Sequence, residues 1–185
     1  MKASLIIIGN EILSGRTQDK NLSYLANWLN EIGIQLTEVR VIRDEEDVIV
    51  ETVNHLRKTY DYVFTTGGIG PTHDDITSES IAKAFSVDLE INQGALSILK
   101  EYYKDGELTE ARMKMTKMPV GSELIENPVS RAPGFKMDNV FVLAGIPGIM
   151  QGMLEGARQF LKNCLLYTSD AADEGLGVDL GGRRI

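Results

Sequence analysis

The sequence predicts an α/β fold: a three-layer α/β/α arrangement around a mostly parallel sheet, completed by a short hairpin. Three observations carry that prediction. Strand-like and helix-like segments alternate as βαβαβα up to Phe85. The first strand, KASLIII, is a continuous apolar run of the kind buried on both faces of a parallel sheet. Successive βα repeats favour right-handed crossovers that cover such a sheet with helices.

Lys2–Ile8 is the first strand, ended by Gly9, and a loop follows over residues 10–20. From Asn21, the residues Leu22, Leu25, Leu29 and Ile32 recur at helical spacing, and Gly33 suits the position just past a helix end. Gln35–Ile42 is β-rich. Asp44, Glu45, Glu46 and Asp47 then open a helix whose apolar face is Val48, Thr52, Val53, Leu56 and Tyr60, with acidic groups matched to the positive helix start. Residues 61–66 form a third strand that leads into a glycine-rich loop, and Thr77–Phe85 is the helix beyond it.

Two helices are expected over 93–103 and 107–118, separated by Asp105-Gly106 and stopped by Pro119. Short strands follow at 124–125, 135–137 and Val140–Leu143, the last two joined as a hairpin around Asp138-Asn139. Ile149, Met153, Leu154, Ala157, Phe160 and Leu161 line one face of a final helix. Trp28, Met113, Met115, Met118, Met150 and Met153 sit at helix-compatible spacings, as core or subunit-contact residues do.

A chain of 185 residues with 43% apolar content matches one domain of ordinary size. Its longest apolar runs fall well short of the ~18 residues of a membrane-spanning helix, so a cytoplasmic protein without membrane association is expected. The net charge is −8. Nucleic-acid binding needs a basic stripe that displaces counterions, and no basic run exceeds Arg183-Arg184. One cysteine, Cys164, and two histidines, His55 and His73, leave no set for a disulfide or a Cys/His metal site. Chemistry therefore falls to carboxylates, hydroxyls, backbone amides and a hard divalent cation of the magnesium or cobalt type.

From Cys164 the text loses all periodicity, and residues 164–185 read as a non-native or disordered tail. The domain proper is expected to span 1–163.

Ligand crevices in open α/β sheets lie beyond the carboxyl ends of strands. Four loops there stand out: 9–21, 43–47, 66–75 and 144–148. The third reads Thr65-Thr66-Gly67-Gly68-Ile69-Gly70-Pro71-Thr72-His73-Asp74-Asp75. Glycines admit a ligand close to the backbone and expose N–H groups, which suits phosphate at a helix start. Neither the lysine-ended P-loop pattern nor the GxGxxG dinucleotide pattern is present. Asp74 and Asp75 would repel a bare phosphate; they fit a bridging divalent cation, or action on a hydroxyl or water. The alternative is a tight turn in which these aspartates and Thr77 merely cap the helix.

TTGGIGPTHDDIT closely resembles the TGG(T/I)GPTxDD motif of the molybdopterin-binding superfamily, the MoaB/Mog-like fold, and especially its CinA N-terminal branch. Gly9-Asn10-Glu11-Ile12-Leu13-Ser14-Gly15 is similar to the GxELLxG loop, with Asn21 at the place of a later asparagine. Residues 127–135, including Ser130, Ala132, Pro133 and Gly134, resemble an NPxGTAPGF segment, with Ser130-Arg131 in place of Gly-Thr. Residues 143–150, with Gly145 and Pro147, resemble LPGVPxEM, with Ile149 in place of the glutamate. The resemblance spans about residues 3–163 and extends to bacterial CinA-like proteins.

The resemblance implies a ligand cradle of Gly9, Asn10, Glu11, Gly15, Asn21, Thr66, Gly67, Gly68, Gly70, Pro71, Thr72, Asp74, Ser130, Ala132, Pro133, Gly134, Gly145 and Pro147. It also implies Asp75 and Asp44 as catalytic residues that position ligand or metal, with helix capping the plainer role for Asp44. Glu11 is alternatively an ordinary exposed loop carboxylate, and His73 a solvated one. The implied partner is a nucleotide or a molybdopterin-like small molecule, and the implied assembly a homo-oligomer. The implied activity is metal-dependent hydrolysis of a nucleotide diphosphate such as ADP-ribose; the alternatives are a molybdopterin-binding module and a molybdopterin adenylyltransferase. Arg40 and Arg43 are expected to pair with the cluster at 45–47, and His55 to lie on the surface.

Overall fold

The computed structural model describes residues 1–103 and 108–161. The expected tail at 164–185, with Cys164, and the expected helix break at Asp105-Gly106 lie outside the described residues.

The chain runs β1 (Lys2–Ile8), α1 (Asn10–Leu13), α2 (Asn21–Glu31), β2 (Gln35–Ile42), α3 (Glu46–Thr59), β3 (Tyr62–Thr66), α4 (Thr77–Phe85), β4 (Leu89–Ile91) and α5 (Gln93–Tyr102). It continues α6 (Glu110–Lys114), β5 (Lys117–Pro119), β6 (Glu123–Ile125), β7 (Gly134–Met137), β8 (Val140–Leu143) and α7 (Pro147–Ala157), ending in a 3₁₀ turn. Six strands form the main sheet in the order β2-β1-β3-β8-β7-β6. The pairs β1/β2, β1/β3 and β3/β8 are parallel, and β8/β7 and β7/β6 are antiparallel.

Alternation along β1 explains why its whole run is apolar or small. Leu5 and Ile7 face α2 and α7, where they meet Leu25, Trp28, Leu29, Met150, Met153 and Leu154. Ile6 and Ile8 face α3 and α4, against Ile49, Val53, Leu56 and Ile81. A strand buried on both faces has no polar position to spare, and two helical layers on one sheet make the α/β/α sandwich. At ~25 cal/mol per Å² of apolar surface, each fully buried Leu or Ile here contributes roughly 1.5–3 kcal/mol. Among the described residues, no helix is long and apolar enough to cross a membrane.

Three expectations are corrected. The first loop is not irregular throughout, since residues 10–13 wind into one helical turn. The helix expected over 107–118 is only Glu110–Lys114 in the described residues, and 117–119 pairs instead with the unforeseen strand β4. Pro119 disfavours the helical conformation for the residue before it, and the Thr116 carbonyl accepts the Asn92 N–H at 2.8 Å, which turns the chain into the ribbon. Finally, Arg43 does reach Glu45 (2.9 Å), but Arg40 pairs with Glu38 (2.6 Å), its neighbour on the same strand face. Glu46 and Asp47 are taken instead by Lys83 of α4, which staples α4 to the start of α3. His55 is exposed as expected.

Candidate functional site

The strand order places the site. β2 lies on one side of β1 and β3 on the other, so the chain reverses its winding between β1 and β3. The loops after these two strands diverge there and leave a crevice. A cleft of about 780 Å³ opens at that point, on the α2/α7 side of the sheet. That size accommodates a nucleotide- or pterin-sized ligand.

The loop after β3 contributes most. Thr66, Gly67, Gly68, Gly70, Pro71, Thr72, Asp74 and Asp75 all line the cleft. Gly67 and Gly68 adopt φ of 105° and 69°, where side chains are strained, and the space is closed besides. A Cβ on Gly67 would strike the Ile8 carbonyl oxygen, and one on Gly68 the Thr77 hydroxyl. Thr77, fully buried at the first turn of α4, holds this shape: its Oγ1 donates to the Gly67 carbonyl at 3.0 Å and its N–H to the Gly68 carbonyl at 2.9 Å.

The aspartates at the far end of the loop are engaged locally. Asp75 Oδ2 accepts from the Thr72 N–H at 2.8 Å and the Thr72 hydroxyl at 2.5 Å, closing a tight turn. Asp74 Oδ1 lies 2.8 Å from His73 Nε2, and both side chains are exposed.

From the loop after β1, Glu11 and Asn21 line the cleft. Asn21 is buried; its Nδ2 donates to the Gly145 carbonyl at 2.8 Å and so joins the start of α2 to the loop after β8. Asn21 Oδ1 and the Thr66 hydroxyl, both buried in the cleft wall, have no hydrogen-bond partner among the described residues. Such groups cost ~1–3 kcal/mol when unpaired and mark places where a ligand or water completes the structure. α7 begins at the cleft without a side-chain cap, so its positive end faces it, whereas at the start of α2 the cleft-lining Asp19 carboxylate accepts the Leu22 N–H at 2.8 Å. Gly145 and Pro147 line that wall too.

The segment before β7 supplies Ser130 and Ala132. Asn127 organises it: Oδ1 accepts the N–H groups of Val129 (3.0 Å) and Ser130 (3.1 Å), while Nδ2 donates to Ser130 Oγ and the Ala132 carbonyl, each at 2.7 Å.

Other anticipated residues stand behind or beside the cleft. Gly9 is buried and donates its N–H to the Ile42 carbonyl at 3.2 Å. Gly15 turns the exposed loop with φ 72°. Pro133 and Gly134 are buried behind the wall, where a Cβ on Gly134 would strike the Val142 carbonyl of the neighbouring strand. The Asn10 N–H is taken by Asp44 Oδ2 at 2.8 Å, so Asp44 closes the start of α1, outside the cleft walls. Asp75 and Asp44 thus are not brought together as joint walls of the cleft. Among the described residues, no three carboxylate, histidine or cysteine groups are placed to hold a metal ion.

Asp19, Lys20, Tyr103, Arg112 and Met115 also line the cleft and were not among the anticipated ligand residues, nor was Asn127, which opens the segment likened to NPxGTAPGF. No local pattern pointed to Tyr103 or Arg112.

A family model described as a probable molybdopterin binding domain matches residues 4–163. A protein from Thermoplasma acidophilum is 39% identical over 157 residues, covering 83% of this chain and 61% of that protein. A CinA-like protein from Sulfurihydrogenibium is 39% identical over 170 residues, covering 88% of this chain and 42% of that protein. The chain thus spans less than two thirds of the length of these curated relatives, which are archaeal as well as bacterial. Among solved structures, a CinA protein of unknown function from Thermoplasma acidophilum matches at TM-score 0.80 with 37% identity, over 86% of this chain and 98% of that one. MoaB from Thermus thermophilus, at TM-score 0.57 and 17% identity over 86% and 91% of the two chains, shares the fold.

Proposed function

The chain belongs to the molybdopterin-binding domain family in its CinA-like branch, and from that premise we propose that the cleft binds a phosphorylated, pterin-like small molecule. One observation carries this reading: the Gly67–Gly68 turn, locked by Thr77 and by the Gly67 N–H on the Leu143 carbonyl at 3.2 Å, brings backbone without side chains to the carboxyl end of β3 inside a cleft of ligand size. Backbone amides and helix starts suit a phosphate, and the unpaired Asn21 Oδ1 and Thr66 hydroxyl suit the donors of a polar ring or sugar.

Turnover of a diphosphate is a second reading, supported by the adjacent carboxylates Asp74 and Asp75 at the cleft. A divalent ion there would depend on the ligand's own phosphates and water for most of its coordination, as magnesium sites commonly do. Asp44 binds the Asn10 N–H and does not line the cleft, so this reading rests on Asp74 and Asp75. Assembly into homo-oligomers belongs to the same proposal and is read from the sedimentation of the purified chain.

Isothermal calorimetry with a pterin phosphate and with ADP-ribose, each with and without magnesium or cobalt, tests the reading. Saturable one-to-one binding of a ring-bearing phosphate is the expected result, and absence of binding for both compounds overturns it. Release of AMP and ribose 5-phosphate from ADP-ribose in the same mixtures would establish turnover; binding without release leaves a binding module.

A further inference from the structure

We infer that Tyr103, just past the end of α5, and Arg112, in α6, form a stacking wall for the flat heterocycle of the ligand and are its recognition residues. This rests on the reading that the cleft holds a ring-bearing phosphate. The wall lies outside the strand-end loops that supply the phosphate cradle.

Tyr103 follows the last turn of α5 and Arg112 lies in α6, yet both line the cleft and both are half-buried. The guanidinium carbon of Arg112 sits 4.2 Å from the centroid of the Tyr103 ring, a cation–π contact over one face, and Tyr102 meets Tyr103 in a T-shaped contact with centroids 5.0 Å apart, so the three side chains form one unit. Met115, from the residue just past the same helix, lines the cleft as well. Aromatic rings and guanidinium planes are flat and weakly hydrated, and they hold bases and similar heterocycles by stacking whatever the pattern of ring substituents. A polarizable thioether beside them suits the edge of such a ring.

A stacking wall is useful only at a fixed distance from the phosphate cradle. Lys114 sets that distance: its Nζ donates to the carbonyls of Thr72 at 3.0 Å and His73 at 3.4 Å, tying α6 to the outer end of the glycine loop. Lys114 is thus a positioning residue. The ligand class that follows is a purine- or pterin-type ring joined to a phosphate. Adenine and pterin share this chemistry.

The test measures binding by calorimetry for ADP-ribose, a pterin phosphate and ribose 5-phosphate, which carries sugar and phosphate without a base. In Tyr103→Ala the affinity for the ring-bearing probe falls by roughly tenfold or more, the usual worth of one stacked base. Tyr103→Phe keeps the affinity, and ribose 5-phosphate binds all of these proteins alike. Tyr103→Leu preserves bulk without a π-face and behaves as Tyr103→Ala does, which guards against a folding defect in the smaller variant. Lys114→Met weakens the ring-bearing probe more than ribose 5-phosphate, and equal weakening of the two removes Lys114 from the positioning of the wall. Equal losses for the ringless probe, or unaltered affinity in Tyr103→Ala and Tyr103→Leu, overturn the wall alone. Failure of the unmodified protein to bind either ring-bearing probe overturns both the wall and the proposed function. Preference between ADP-ribose and the pterin phosphate identifies the ring.

Discussion

The Thr77 hydroxyl donates to the Gly67 carbonyl across ten residues, joining the first turn of α4 to the first glycine of the cleft loop in a buried environment. A helix-starting threonine ordinarily caps its own helix, whereas this one reaches back to the loop. Thr77→Val keeps the shape and removes the donor, leaving a buried carbonyl unpaired. A loss of about 1–3 kcal/mol in urea denaturation is expected, with Thr77→Ser losing markedly less. Equal stability of the valine variant would show that the bond holds nothing in place.

Gly67 meets two constraints at once, a φ of 105° and contact with the Ile8 carbonyl at the end of β1. Gly67→Ala must either move β1 from the loop or bend the loop out of the cleft. Backbone strain alone costs about 1–3 kcal/mol, and the overlap adds to it. Thermal unfolding is expected at a clearly lower midpoint, together with loss of ligand binding. Gly15→Ala provides the contrast: φ is also positive, at 72°, but nothing lies near the added methyl and the residue is outside the cleft, so binding survives.

The parts of this molecule legible in the sequence are those whose pattern is local. β1 shows itself because burial on both faces demands an unbroken apolar run, and the loop at 65–75 because strand, glycines and helix start adjoin in the chain. β4 and β5 have three residues each and exist only because they pair with each other across the intervening helices. Asp44 illustrates a different limit. An aspartate after a strand reads alike whether it holds a metal, caps its own helix or, as here, closes a turn beside the neighbouring strand. Tyr103 and Arg112 line the cleft from beyond α5 and from α6, far in sequence from the strand-end loops, with α6 tied to the glycine loop by Lys114.

On the outer face of β2, Glu38 titrates low, chiefly because the Tyr60 hydroxyl donates to it at 2.6 Å and secondarily because Arg40 does. The Tyr60 hydroxyl is correspondingly held above its ordinary range by the carboxylate. A carboxyl that ionises more readily folded than unfolded stabilises the fold above its unfolded pKa, and the contribution disappears as pH falls through the lowered folded value. Tyr60→Phe removes the larger cause. NMR titration is expected to place Glu38 closer to an ordinary glutamate in that variant, with the acid unfolding midpoint moved to higher pH; an unmoved Glu38 would assign the effect to Arg40.

Asn127 carries the turn that delivers Ser130 and Ala132 to the cleft, through four hydrogen bonds of one buried amide. The turn is under tension at Arg131, whose φ of 62° is unusual for a residue with a side chain. Asn127→Ala leaves two N–H groups and the Ala132 carbonyl to find other partners, while the Arg131 N–H keeps its bond to the backbone carbonyl of residue 127 at 3.1 Å. A loss of roughly 1–3 kcal/mol is expected from the unpaired groups. Asn127→Asp separates the two halves of the amide, because a carboxylate still accepts from Val129 and Ser130 but cannot donate to the Ala132 carbonyl. Denaturation curves for the pair therefore show which half holds the turn. If the aspartate variant is as stable as the unmodified protein while the alanine variant is not, the accepting half suffices. If both lose equally, the bond to Ala132 fixes the wall, and ligand affinity falls in both.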